Sequence, residues 1–174
     1  MASLSTQQHR AAAEQHPPAR VAILTISDTR TPETDASGAK IREVMEAGGH
    51  AIVHYEILKD DPEPIAYRVR ELCDTFVADA ILMNGGTGIA PRDGTFEAVS
   101  GVIERPLPGF GELFRMLSWQ EVGPAAMLSR ATAGLRGQTL VFSMPGSLNA
   151  VAVAMEKLIA PELAHLVWEM KRKG

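Results

Sequence analysis

The sequence predicts an α/β domain in which helices cover both faces of a mostly parallel sheet. Short apolar, β-branched runs such as 21–26 and 139–144 alternate with segments of helical periodicity. Because these runs are apolar at successive positions, they are typical of strands that are buried on both faces. Parallel strands also require a crossover between them, which the intervening helices supply. We therefore expect a three-layer α/β/α domain with a mostly parallel central sheet.

The chain is predicted to begin with a flexible arm followed by a single domain. Residues 1–19 are polar and alanine-rich, without sustained apolar periodicity. The domain, 20–174, then starts with a strand at 21–26 and a polar loop that opens with Ser27 and Asp28. A helix at 37–47 follows, and Gly48-Gly49 is expected to end it.

Three further units repeat the order of strand, loop and helix. Their strands are predicted at 51–58, 80–83 and 139–144. Their helices are predicted at 64–73, at 96–103 and from about 149 onward, the last with a bend near Pro161. Between the third and fourth units, 109–119 carries an apolar helical stripe that suits either the core or a subunit contact.

Composition limits the classes of partner and site. The chain has 17 basic and 21 acidic residues among 174, and no basic run precedes its last residues, so nucleic acid is not an expected partner. The absence of a signal-peptide core and of a membrane-spanning run predicts a cytoplasmic protein that does not enter the membrane. A single cysteine, Cys73, and five histidines without ligand spacing argue against disulfides and Cys- or His-based metal sites.

The most informative stretch is the glycine-rich loop that follows the third strand. Ligands of open parallel sheets bind outside the carboxyl ends of the strands, where the loops after all four strands meet. Gly85, Gly86 and Gly88 leave the backbone open to close approach, and N–H groups exposed in such a turn bind phosphate oxygens. Asp93, a few residues later, is placed to hold the magnesium of a nucleoside triphosphate. The pattern predicts an anion site, and specifically a nucleotide site.

Known phosphate-loop patterns do not match this stretch. The P-loop requires a Lys-Ser/Thr pair after its last glycine, whereas Ile89-Ala90 follows Gly88. The dinucleotide fingerprint requires a third glycine where the chain has Pro91. A tight turn whose glycines only satisfy backbone geometry therefore remains an alternative.

The acidic residues of the loops also have two interpretations. Asp60 and Asp61 are either solvated loop charges, one of them a helix cap, or they supply a carboxylate that shares a metal or a proton with Asp93. Asp28 and Asp35 are ambiguous in the same way, because both are also plausible helix-start residues.

Several separated motifs together resemble one family. They are 25–30 (TISDTR), 85–88 with Arg92-Asp93, 108–115 (PGFGELFR), 128–134 and 144–147 (MPGS). In this order they resemble the molybdenum cofactor biosynthesis protein B (MoaB) family and its relative MogA, over almost all of 20–166.

The resemblance implies an enzyme that transfers AMP from Mg-ATP to molybdopterin and releases pyrophosphate, in a homo-oligomer that is a trimer or a hexamer of two trimers. It implies that Asp60 and Asp93 are the essential, magnesium-binding carboxylates, with Asp61 left open as the alternative to Asp60. It further implies a nucleotide- and pterin-binding set, which is Ser27, Asp28, Gly85, Gly86, Thr87, Gly88, Ser129, Arg130, Pro145, Gly146 and Ser147.

One feature of the family bears on activity. Some MoaB-type members keep the fold but lack adenylyltransferase activity, with an altered loop after the glycines. Here Arg92-Asp93-Gly94-Thr95 keeps the Arg-Asp-x-Thr pattern of active relatives, which favours the enzyme. The alternative is a non-catalytic protein that binds and delivers the pterin intermediate. Arg92, Lys59 or Arg130 is expected to offset phosphate charge, with a solvated surface position as the alternative for Arg92.

Overall fold

The computed structural model describes residues 17–172. Most of the expected arm, 1–16, lies outside the described residues. Ala19, at the end of that predicted arm, is buried, its N–H donates to His50 Nδ1, and its carbonyl accepts from the Ala51 N–H. The packed part of the chain thus includes Ala19, one residue before the predicted domain start.

Six strands and six α-helices make up the described chain. The strands are β1 Arg20–Ile26, β2 Ala51–Leu58, β3 Ala80–Asn84, β4 Arg105–Pro106, β5 Thr132–Arg136 and β6 Thr139–Met144. The helices are α1 Ala36–Ala47, α2 Pro62–Asp74, α3 Thr95–Ser100, α4 Pro108–Val122, α5 Leu148–Ala154 and α6 Ala160–Lys171. A 3-10 helix, Gly123–Leu128, follows α4, and a π-helical turn, Met155–Ile159, joins α5 to α6.

The sheet has the strand order β2-β1-β3-β6-β5-β4. The first four strands in this order are parallel, as predicted, and β5 runs antiparallel to β6. In the register, Thr25 of β1 pairs with Asn84 of β3, which pairs with Met144 of β6. The carboxyl ends of these three strands therefore lie at one level along a single edge of the sheet.

Two apolar cores lie on opposite faces of this sheet. On one face α1, α4, α5 and α6 pack around residues such as Ile23, Leu82 and Phe142. On the other face α2 and α3 pack around Leu24, Ile81 and similar residues. Successive residues of β1 and β3 thus face different cores, which explains their unbroken apolar runs. The predicted α/β/α layering is confirmed.

Two strands were not predicted from the sequence. β4 has two residues, one of them Pro106, and is too short to show a period. β5 contains Gly134, where a Cβ would lie 2.7 Å from the Arg105 carbonyl oxygen, so this glycine permits the two backbones to pair. The close approach is a tertiary feature and leaves no periodic signal in the sequence.

The described helices include none that is both long and apolar enough to cross a membrane.

A buried ion cluster joins chain segments at the edge of the sheet where the parallel strands begin. Asp79, which directly precedes β3, is 3% exposed and lies 3.0 Å from Arg20 Nη2 and 2.8 Å from Lys171 Nζ. Burial alone would raise the pKa of Asp79, but the hydrogen bonds and charges of these two cations outweigh it and lower the pKa to about 2. The cluster joins the starts of β1 and β3 to the end of α6.

Asp79→Asn is expected to lower the free energy of unfolding by about 1–2 kcal/mol at pH 7, allowing for screening of the half-exposed cations. The folded pKa is below the unfolded value of about 3.9, so this contribution is complete above pH 4 or so and is lost as the pH falls toward about 2. Urea unfolding of wild type and variant at pH 7, 4 and 2.5 should show the difference shrinking. Asp74→Asn, which removes an exposed partner of Arg136, is the control with little effect. A pH-independent difference would contradict the assignment.

Candidate functional site

The loops that follow β1, β3 and β6 enclose a cavity of about 520 Å³ at the carboxyl edge of the sheet. Its lining residues are Ile26, Ser27, Thr29, Arg30, Gly85, Gly86, Thr87, Gly88, Leu128, Ser129, Pro145, Gly146 and Ser147. Nine of the eleven residues predicted to bind nucleotide or pterin are in this set, and the other two, Asp28 and Arg130, lie beside it. A cavity of this size suits a cofactor or nucleotide.

Glycines permit the loops to approach one another. Gly85 has φ +100°, and a Cβ there would lie 2.2 Å from the Ile26 carbonyl oxygen. A Cβ on Gly146 would lie 2.9 Å from the Cα of Gly85. These positions exclude any larger residue, so the glycines satisfy a tight backbone geometry and at the same time form a cavity wall made of backbone.

Arg130 holds the glycine loop from its outer side. Its guanidinium donates hydrogen bonds to the carbonyls of Thr87, Gly88 and Asp93, and it forms an ion pair with Glu97. Amide and carbonyl groups of a trans peptide point in opposite directions, so the N–H groups of Gly88 and Ile89 are turned away from Arg130. Arg130 thus stabilises the conformation of the glycine loop by binding the carbonyl oxygens of the loop.

The two predicted carboxylates lie against this loop. A Cβ on Gly86, whose φ is +64°, would come within 2.8 Å of both carboxylate oxygens of Asp60. A Cβ on Gly88 would lie 2.3 Å from Asp93 Oδ2. Asp60 also accepts a hydrogen bond from Thr95 Oγ1 at 3.4 Å, and Asp93 accepts one from the Ala90 N–H at 2.9 Å. Residues 33 positions apart in the sequence are therefore neighbours of the same four-residue turn.

The surroundings of Asp60 are electrostatically negative. Partial burial raises the pKa of Asp60, and the charges of Asp93 and Asp28 raise it further. Hydrogen bonds from the Gly94 backbone and from Thr95 oppose this rise without cancelling it. A cation placed between the carboxylates would remove the repulsion.

This donor set fits a magnesium ion that arrives with phosphate. Mg²⁺ typically uses one or two carboxylates together with substrate phosphate oxygens and water. Within 17–172, no three His, Cys, Asp or Glu side chains are arranged to hold a metal by themselves. Asp60 and Asp93 therefore suit a magnesium–nucleotide complex better than a metal cage built by protein alone.

The structure separates the roles of the neighbouring aspartates. Asp61 caps α2 by accepting a hydrogen bond from the Glu63 N–H at 3.3 Å. Asp28 accepts a hydrogen bond from the Asp60 N–H, also at 3.3 Å, and so links the loops after β1 and β2. Of the two adjacent candidates, Asp60 is the one beside Gly86.

The remaining predicted residues are placed at the rim of the cavity or in its turns. Ser27 Oγ accepts from the N–H groups of Thr29 and Arg30, and Ser147 Oγ accepts from the Ala150 N–H at the start of α5. Ser129 lines the cavity at the end of the 3-10 helix. Arg92 is largely exposed and lies 3.7 Å from Asp28, and Lys59 is exposed beside a neighbouring depression.

Arg30 is a cavity residue that was not predicted from the sequence. Arg30 carries the one charged side chain among the described residues that line the cavity. It donates to Asp35 Oδ1, to Asn84 Oδ1 and to the Gly146 carbonyl, at 3.2, 3.3 and 2.8 Å. The adjacency of Arg30 to Ser27-Asp28 in a strand-end loop was the available signal, but Asn84 and Gly146 lie 54 and 116 residues away from it in the sequence.

The chain matches a known protein family over most of its length. Residues 22–165 match the family model described as a probable molybdopterin binding domain. Molybdenum cofactor biosynthesis protein B of Halalkalibacterium halodurans is 51% identical over 96% of the chain and 98% of its own length. The Bacillus subtilis protein of the same name is 49% identical, over 97% of the chain and 99% of its own length.

Solved structures of related proteins have the same fold. A crystal structure of a molybdenum cofactor biosynthesis protein B, 51% identical, has a TM-score of 0.87 and matches 90% of this chain and 98% of its own. A tungsten cofactor synthesizing protein MoaB from Pyrococcus furiosus, 35% identical, has a TM-score of 0.80 over 90% of this chain and 99% of its own.

Gly86→Ala is expected to destabilise the fold more than Gly137→Ala does. Both glycines have positive φ, +64° and +55°, so each substitution costs about 1–2 kcal/mol of backbone strain. At Gly137 no atom lies within 4 Å of the new methyl group, whereas at Gly86 it would lie 2.0 Å from Thr95 Oγ1, adding roughly 1–3 kcal/mol. Urea unfolding of the two variants measures the difference, and equal losses would show that the close packing at Gly86 is unimportant.

Proposed function

The chain belongs to the probable molybdopterin binding domain family, and from this premise we propose that it transfers AMP from Mg-ATP to molybdopterin and releases pyrophosphate. A role in molybdenum cofactor biosynthesis follows from its close similarity to proteins of that name. The adenylyltransferase reaction is the specific step that the site geometry supports best.

One observation carries this proposal. The backbone-lined cavity and two neighbouring carboxylates occur together at a turn made of Gly85, Gly86 and Gly88. A backbone wall suits phosphate oxygens, and the carboxylates suit the metal ion that accompanies a nucleoside triphosphate. The Arg-Asp-x-Thr segment supplies Asp93 and also Thr95, which contacts Asp60. The segment that accompanies activity in the family is thus part of this geometry.

In the proposed reaction a phosphate oxygen of molybdopterin attacks the α-phosphorus of ATP. A new oxygen–phosphorus bond forms, the bond from the α-phosphorus to the bridging oxygen breaks, and pyrophosphate leaves with that electron pair. The chain then has three tasks, which are to align the two phosphates, to neutralise the charge that develops, and to exclude water. No side-chain nucleophile is required.

The first two tasks are assigned to residues in or beside the cavity. The glycine loop and the segment Pro145-Gly146-Ser147 face each other and would orient the two phosphate groups between them. Arg30 would contribute positive charge from the cavity wall. Asp60 and Asp93 would hold Mg²⁺, which when bound neutralises phosphate charge.

The assembly of the chain is also a proposal. Exposed apolar side chains recur along α4 at Leu113, Met116, Trp119 and Val122, and the adjoining 3-10 helix adds Met127. Apolar patches of this kind on a globular domain are typical of subunit contacts. We propose that this face joins copies of the chain into a trimer or a hexamer of two trimers. Phe110 and Phe114, on the other side of α4, belong to the core.

The activity is tested by incubating the purified protein with molybdopterin, ATP and Mg²⁺ and measuring adenylylated molybdopterin and pyrophosphate. Asp60→Asn and Asp93→Asn are each expected to lower the rate by about 10- to 100-fold or more, because each removes a carboxylate from the proposed magnesium site. Asp61→Asn is the matched control, since its carboxylate caps α2, and it should keep the wild-type rate after allowance for any loss of stability.

One result would argue against the enzyme, and two would argue against the roles assigned to its carboxylates. Wild-type protein that binds molybdopterin without consuming ATP, under conditions where an active relative works, would favour the non-catalytic carrier. Full activity of Asp93→Asn would show that the reaction does not require the Asp93 carboxylate. A loss of activity in Asp61→Asn equal to that in Asp60→Asn would show that the effect is not specific to the residue beside Gly86.

Trp119→Glu is expected to reduce the assembly to smaller species, because it places a charge in the proposed contact. Light scattering coupled to size exclusion should give a mass of three or six chains of 18.7 kDa for wild type. Tyr67→Glu, at an exposed aromatic residue on α2 across the sheet, is the control that keeps the wild-type mass. A monomeric wild type, or an unchanged mass for Trp119→Glu, would contradict this contact.

A further inference from the structure

A buried carboxylate lies behind the cavity and is absent from its lining. The side chain of Asp35 has no exposed surface. Its Oδ2 accepts hydrogen bonds from Thr25 Oγ1 at 2.6 Å and from the Tyr55 hydroxyl at 2.8 Å. Its Oδ1 accepts from the Gly38 N–H at 3.0 Å and from Arg30 Nη1 at 3.2 Å. Four donors from β1, β2, α1 and the loop after β1 thus meet at one carboxylate.

The network continues from Asp35 to the loops that form the cavity wall. Arg30 Nη2 donates to the Gly146 carbonyl at 2.8 Å, and Ser37 Oγ donates to the same oxygen at 2.9 Å. Asn84 Nδ2 donates to Thr25 Oγ1 at 2.8 Å while its carbonyl oxygen accepts from Arg30. The residue before the glycine loop and the centre of the Pro145–Ser147 turn are therefore both tied to the Asp35–Arg30 pair.

A helix cap does not require this arrangement. Asp35 caps α1 through the Gly38 N–H alone, a task that an exposed serine or asparagine performs equally well. Burying a carboxylate is costly unless charge and hydrogen bonds compensate for it. A Cβ on Gly38 would lie 2.1 Å from Asp35 Oδ2, so the chain also has a glycine where the carboxylate needs space.

We propose that Asp35 is a positioning residue for the phosphate-binding cavity and acts through Arg30. By fixing the guanidinium between Asn84 and Gly146, it sets the spacing of the two loops that face each other and places the cavity's positive charge. The inference rests on the proposed function for the identity of the ligand, but the loop geometry on which it depends can be measured separately.

Tyr55 provides a milder way to disturb the same carboxylate. Burial, followed by its hydrogen bond to Asp35, raises the pKa of Tyr55 to about 12, so the hydroxyl remains a donor over the working pH range. Tyr55→Phe removes this one hydrogen bond and leaves the contact between Asp35 and Arg30 in place.

The test is a double-mutant cycle on binding of Mg-ATP, and of Mg-pyrophosphate as a second probe, by titration calorimetry. Arg30→Gln and Asp35→Asn are each expected to weaken binding by about 10- to 100-fold, the loss typical of a misplaced binding group. If Asp35 acts through Arg30, the double variant binds no more weakly than Arg30→Gln alone, whereas independent roles would multiply the two losses. Asp79→Asn, which breaks the buried ion cluster at the opposite edge, controls for stability and should bind as wild type does.

Amide hydrogen exchange gives a readout that does not require a ligand. In Asp35→Asn the amides of 84–88 and 145–147 should exchange faster, relative to the sheet core, than in Asp79→Asn. If Asp35→Asn does not fold, Tyr55→Phe should show the same local acceleration to a smaller degree.

The outcomes separate this inference from the proposed reaction. Suppose that the binding losses are non-additive and the amides of the two loops exchange faster, but no AMP is transferred. This result would support the positioning role and exclude the adenylyltransferase reaction. If wild type binds neither probe, local exchange decides the positioning role by itself. Multiplicative binding losses, or exchange that changes only with global stability as in Asp79→Asn, would overturn the role of Asp35.

Discussion

The contact between the buried carboxylate of Asp35 and the guanidinium of Arg30 is the interaction on which the geometry of the cavity depends. It joins the loops after β1, β3 and β6 through side-chain hydrogen bonds, in addition to the close backbone contacts of Gly85 and Gly146. The parallel sheet brings the three loops to one edge, but it does not set their mutual distance. The Asp35–Arg30 ion pair, whose carboxylate is buried and whose hydrogen-bond directions are fixed, contributes to setting that distance because its partners have few alternative arrangements.

The carboxylates at the two edges of the sheet have different surroundings. At the amino ends of the strands, Asp79 is paired with two cations and joins chain segments that carry no cavity. At the carboxyl ends, Asp60 and Asp93 lie near each other beside a turn whose outer carbonyls are held by Arg130. Within 17–172, neither of these two carboxylates forms an ion pair with a Lys or Arg side chain as Asp79 does with Arg20. The carboxylate at the amino ends is thus paired within the chain, whereas the two at the carboxyl ends suit the proposed magnesium–phosphate ligand.

Features that are encoded by local sequence patterns could be predicted from the sequence alone. The four parallel strands, the layer order and the convergence of glycines with Asp60 and Asp93 follow from apolar periodicity and from the strand-end rule. The strand β4 was missed because a two-residue strand has no period, and β5 was missed because its pairing depends on the close approach at Gly134, which leaves no periodic signal. The choice between Asp60 and Asp61 depends on side-chain direction, and the role of Asp35 depends on partners up to 20 residues away along the chain. Neither has a local signal.

The central claim is that the cavity between the glycine loop and Gly146 receives the phosphates of ATP. A crystal structure of the protein with Mg²⁺ and a non-hydrolysable ATP analogue tests it most directly. The account predicts phosphate oxygens against the backbone of Gly85–Gly88, the metal ion on Asp60 and Asp93, and Arg30 unchanged in its contacts with Asp35 and Gly146. Nucleotide phosphates bound elsewhere, for example in the apolar groove between α4 and α6, would contradict it.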